Sequence, residues 1–171
     1  MAGRALATFI TLILLAGAAA AETVDVPEPG PRASCPVCGM FVAKYPEWIA
    51  TVVFDGGHVH HFDGAKDLFK FLFALDRYAP GHGPGDIDVI AVTDYYDVEA
   101  IDARQAWFVI GSDVYGPMGH ELVPLKTAED AAGFSTDHEG RATLRFGDIT
   151  PALIRQVDAG RFEGLGAPAK P

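Results

Sequence analysis

The chain has 171 residues, 49% of them hydrophobic, with 13 basic and 23 acidic side chains for a formal charge of −10. That hydrophobic content argues against a disordered chain, and the charge argues against a partner recognised through a phosphate backbone, so no nucleic acid is expected. Two cysteines are too few for a disulfide scaffold; a bridge could form only between Cys35 and Cys38, and their purpose is otherwise chemical.

In chain order, Arg4 followed by the small and apolar run Ala5 to Ala21, with alanines before a cut near Ala20 or Ala21, reads as an export signal over residues 1–21. The run is short for a membrane span, and no cysteine follows it at Ala18, so the expected product is periplasmic, soluble and not lipidated. Residues 22–34, containing Pro27-Glu28-Pro29-Gly30-Pro31, read as an extended linker. Ile49 to Phe54, the turn signal Asp55-Gly56-Gly57 and His58 to Phe62 predict a hairpin. Asp63 is expected to cap a helix whose apolar residues Ala65, Leu68, Phe69, Leu72 and Phe73 recur at helical spacing until Ala79-Pro80-Gly81 stops it.

The breaker cluster from Pro80 to Gly85 suggests a division into a first half, residues 35–80, and a second, residues 86–160, with a tail over 161–171. Beyond the cluster, Asp88 to Thr93 and Ala106 to Ile110 read as strands, the second apolar on both faces and hence central. Glu121 to Leu125 carries Pro124 and reads as an edge strand. Thr127 with Asp130, and Thr150 before Pro151, predict the starts of two more helices, with a strand at Ala142 to Phe146 between them. Phe62 to Phe71 aligns with Leu125 to Phe134 at three identities in ten. The expected class is therefore α+β, two small related ββα halves sharing a core.

The motif Cys35-Pro36-Val37-Cys38-Gly39-Met40 permits dithiol exchange, structural metal binding or soft-metal capture, besides a simple disulfide clip. Covalent haem attachment needs His where Gly39 stands. Thioredoxin-like motifs open a helix after a strand, whereas this one follows a Pro-rich segment. A structural zinc site would need two further ligands, and no second cysteine pair exists. Methionine usage favours soft-metal capture: after the signal the chain keeps Met40 and Met118, both beside glycine and neither in a helical apolar stripe. Thiolate, thioether and imidazole suit copper(I). His120, two residues after Met118, shares its face if the segment is extended. His58 and His60 share a face of the first hairpin with His61 opposite, and read as surface residues; His82 and His138 read as solvated. Asp113 and Tyr115 are placed to orient the Met turn.

Cys38-Gly39-Met40, a hairpin leading into Phe62-Asp63-Gly64, and the run from Ser112 through Gly116-Pro117-Met118-Gly119-His120 together resemble the NosL family, over about Cys35 to Ile154. The resemblance implies a non-enzymatic periplasmic copper(I) chaperone that serves nitrous oxide reductase together with a dedicated ABC-type maturation complex. It also implies a pair of related α+β halves. The family's Cys-Gly-Met falls on Cys38, Gly39 and Met40 and its Pro-Met-Gly on Pro117, Met118 and Gly119, making Cys38 and Met118 the first choices as ligands, with Cys35, Met40 and His120 beside them. The alternative function is a periplasmic thiol-disulfide oxidoreductase using Cys35 and Cys38.

Overall fold

The computed structural model describes residues 20–164. The expected export signal lies outside the described residues except for its last two positions, and so does the end of the tail. β1 (Ala50–Phe54) and β2 (Val59–Phe62) form the first hairpin, with Ala50 opposite Phe62. Gly56 and Gly57 turn the chain at φ of +85° and +84°, a region that costs a residue with a Cβ but not glycine. α1 (Ala65–Leu72) follows, with Leu68, Phe69 and Phe71 buried on the face it turns inward, then the short α2 (Leu75–Tyr78). β3 (Ile87–Thr93) returns antiparallel to the free side of β1, with Val92 opposite Ala50, and β4 (Ala100–Asp102) pairs with β3.

The second half repeats this plan. β5 (Trp107–Gly116) and β6 (Gly119–Leu125) make the hairpin, α3 (Ala128–Asp137) crosses it, and β7 (Ala142–Arg145) returns antiparallel to β5 before α4 (Pro151–Asp158). The sheets read β2-β1-β3-β4 and β6-β5-β7, so each hairpin's first strand is central and its second an edge. Leu68 and Phe71 of α1 fall on Ala131 and Phe134 of α3 in the aligned segments, and all four are buried. The class is α+β with two related halves.

The breaker cluster does not separate the two sheets, because β3 beyond it hydrogen-bonds to β1. The physical reason is that the hairpin leaves the other side of β1 with unpaired backbone groups, and the reversal at residues 80–85 brings β3 onto them. The change of sheet comes later, between β4 and β5. Periodicity identifies a strand but not the strand it pairs with.

Both faces of the second sheet are covered, which explains the apolar run in β5. Phe108, Ile110 and Leu122 join the core formed with Phe54, Phe62, Phe69 and Phe71 of the first half, Phe69 meeting Phe108 edge to face at 5.5 Å. Val109, Val123 and Leu125 turn the other way, against Ala131 and Phe134 of α3. Thr127 and Thr150 cap α3 and α4, accepting hydrogen bonds from Asp130 and Leu153 backbone N–H groups. The segment that enters the fold lies along β4: Val24 N–H donates to Ala100 O at 2.9 Å, Asp102 N–H to Glu22 O at 2.8 Å and Ala21 N–H to Lys126 O at 2.8 Å.

Candidate metal centre

From Ser34 to Phe41 the backbone closes on itself. Cys35 N–H donates to Met40 O and Gly39 N–H to Cys35 O, both at 2.9 Å. Gly39 at φ +82° supplies the left-handed turn this closure needs. The loop presents both thiols to the first turn of α1. Cys38 Sγ lies 3.1 Å from Asp63 Oδ1 and Cys35 Sγ 3.5 Å from Asp67 Oδ2. One donor atom from each of Cys35, Cys38, Asp63 and Asp67 falls within 4.8 Å of the other three. The cysteines are free; Cys35 is buried and Cys38 half-buried, so Cys38 is the more accessible of the two.

Asp63 does not cap α1. Gly64 is the N-cap residue and no side chain bonds its turn from that position; the Asp63 carboxylate is instead directed at Cys38, and its Oδ2 is buried with no hydrogen-bond partner. Glu121 of β6 takes the capping role, its Oε1 accepting from Lys66 N–H at 2.6 Å and Leu122 N–H at 3.0 Å. This remote cap fixes the second half against the start of α1. Gly64 and Gly116 flank the Glu121 side chain so closely that a Cβ on either would meet it.

Ionisable side chains crowd the site. Asp63, Asp67 and Glu121 are buried, with Lys66 buried among them and Lys70 bonding Asp67 Oδ1 at 3.1 Å and Asp158 Oδ1 at 2.9 Å. Burial pushes the Cys35 thiol up to about 11. Burial raises Cys38 still further, helped by Asp63, Cys35 and Asp67 beside it. Both cysteines are therefore thiols at neutral pH that donate to the neighbouring carboxylates. An ion held by the sulfurs must displace those protons, and the adjacent carboxylates are their nearest acceptors. Thiolate sulfurs fit a soft ion; the carboxylates fit as acceptors for the thiol protons.

The second motif is brought to the same region by Lys66, whose ammonium donates to Met118 O at 3.0 Å and His120 O at 2.6 Å. Met118 does not lie in an extended segment with His120. It sits in the tight turn between Gly116 and Gly119, which are cross-strand partners, and is 44% exposed. His120 stands opposite Tyr115, with its ring 4.8 Å from that of Tyr115 and 5.1 Å from that of Phe162. It is not among the four clustered donors. Met40 is half-buried and contributes its carbonyl to the Cys loop. Asp113 does not orient the Met turn but accepts from, or pairs with, His138 Nδ1 at 3.0 Å. His138 and His82 are not simply solvated: their rings pack on Phe134 at 4.5 Å and on Phe54 at 4.4 Å.

A family model described as NosL matches residues 26–154. The chain belongs to the NosL family. It is 29% identical over 136 residues to the copper-binding lipoprotein NosL of Stutzerimonas stutzeri, a match spanning 77% of this chain and 69% of that protein. The crystal structure of the copper chaperone NosL from Shewanella denitrificans superimposes with a TM-score of 0.62 at 27% identity, covering 75% of this chain and 97% of that one. The fold of two antiparallel sheets with few helices is thus that of a NosL chaperone.

The sequence reading missed Asp63 and Asp67 as members of the cluster. Asp63 stood within the family-like run Phe62-Asp63-Gly64, yet its position before a helix supports capping equally well. Asp67 carries no local signal, since an acidic residue in a first helical turn is favoured by the macrodipole alone.

Proposed function

We propose that this NosL-family protein is a periplasmic copper(I) chaperone that takes up one ion at the Cys35 and Cys38 loop and passes it on without catalysing a reaction. The observation that carries the reading is the buried cluster of two free thiols against two carboxylates, with Asp63 Oδ2 left unpartnered. Copper(I) is the cargo. As it enters, the Cys38 and Cys35 thiol protons pass toward Asp63 Oδ1 and Asp67 Oδ2, and the sulfurs become thiolate donors. Met118 at the exposed hairpin tip, with Met40 and His120, completes a low coordination number that an acceptor's ligands can invade stepwise. The family resemblance supports an apo copper enzyme as client, with nitrous oxide reductase first and its ABC-type maturation complex as the setting. Export to the periplasm rests on the segment before Glu22.

Raised thiol pKa values work against the alternative of thiol-disulfide exchange, because an attacking cysteine needs an accessible thiolate near neutral pH. Anaerobic protein titrated with copper(I) should retain one ion per chain in native mass analysis. Cys38→Ser should weaken binding in chelator competition far more than Cys35→Ser, because Cys38 is the more open sulfur and lies nearer Met40 in sequence. Equal and small effects of the two substitutions would sink the reading.

A further inference from the structure

A second group of donor atoms stands at the other end of β2. His58 and His60 are two residues apart, so the strand's alternation puts both rings on one side of the hairpin. Their Nε2 atoms face each other at 3.1 Å. The rings are held in place by aromatic neighbours. His60 lies 4.9 Å from Phe71 and edge-on to Phe54 at 6.0 Å, while His82 stacks parallel to His58 at 5.9 Å and rests on Phe54 at 4.4 Å.

We propose that His58 and His60 form a separate metal site, taking one divalent first-row ion of the zinc and cupric class through their Nε2 atoms. An ion with metal–nitrogen bonds of about 2.0–2.1 Å, meeting two imidazoles at an angle between a right angle and a tetrahedral one, needs their nitrogens about 2.9–3.4 Å apart. The observed separation, spanned here by a hydrogen bond from one ring to the other, lies inside that range. Paired imidazole nitrogens suit zinc and cupric ions, whereas the sulfur-rich loop suits a softer one, so the two sites differ in donor chemistry. His58 is exposed, which gives the ion a way in. Asp63 lies three positions beyond His60, roughly 10 Å of extended chain, so the ion would be near the Cys loop but not on it.

The inference does not depend on copper(I) binding, and its test separates the two. Zinc is titrated by calorimetry into the full chain, and the imidazole nitrogens are followed by long-range 1H–15N spectra. Saturable binding should move the Nε2 signals of His58 and His60 together. His58→Gln, at an exposed position, should remove one zinc equivalent or weaken it by at least about tenfold. The same loss should occur in a Cys35→Ser, Cys38→Ser background; should that double variant not fold, the comparison of wild type with His58→Gln decides alone. Unchanged zinc stoichiometry and affinity in His58→Gln would overturn the site. Zinc that shifts His120 or His138 while leaving His58 and His60 unmoved would overturn it equally.

Discussion

Replacing Glu121 by Gln should make the protein's stability less dependent on pH. The Glu121 carboxyl is 3% exposed, and burial pushes its pKa from 4.5 up to about 8, outweighing the attraction of Lys66. An acid raised in this way folds best in its protonated form. Its contribution is fully present below the unfolded value of 4.5 and is lost progressively as pH rises through about 8. Each pH unit inside that window costs about 1.4 kcal/mol, so between pH 5.5 and 7.5 the group removes on the order of 2–3 kcal/mol from the wild type. Gln keeps an oxygen to accept from Lys66 and Leu122 N–H and does not titrate, so the variant should lack this loss. Urea unfolding at the two pH values reads the difference as a relative midpoint shift of roughly 1–2 M. Parallel stability–pH curves for wild type and Glu121→Gln would refute the reasoning, because every other titrating group is shared.

Asp63→Asn should make the apo protein's Cys38 easier to ionise, since the carboxylate is one of the causes holding that thiol up after burial itself. Alkylation near pH 8 should accelerate by about tenfold for each unit by which the thiol pKa falls, and an unaltered rate would deny Asp63 its influence. Met118→Leu should weaken copper(I) binding at every pH while leaving the fold intact, because the side chain is 44% exposed at a turn; chelator competition checks it. His120→Ala should also weaken copper(I) binding in the same competition, because it removes an imidazole donor. Phe71→Ala should destabilise by about 3–5 kcal/mol in thermal or urea unfolding, since its buried ring touches Phe54, Phe62 and Tyr78 at once.

What the sequence determined by itself is what depends on a few neighbouring residues. The glycines at 56 and 57 turn a hairpin, Thr127 and Thr150 cap helices, and the helical spacing of Ala65, Leu68, Phe69 and Leu72 marks α1. The loop bearing Cys35 and Cys38 was legible as a chemical motif for the same reason: its closure needs Gly39 and little else. Tertiary structure alone decided that β3 completes the first sheet, that Asp63 faces Cys38 while Glu121 caps α1 from 55 residues away, and that His82 joins His58. Each of these turns on which groups are buried together. A carboxylate at the start of a helix can cap it or face a thiol at similar local cost, and the choice falls to whichever arrangement leaves fewer buried polar groups without partners once the two halves close on one core.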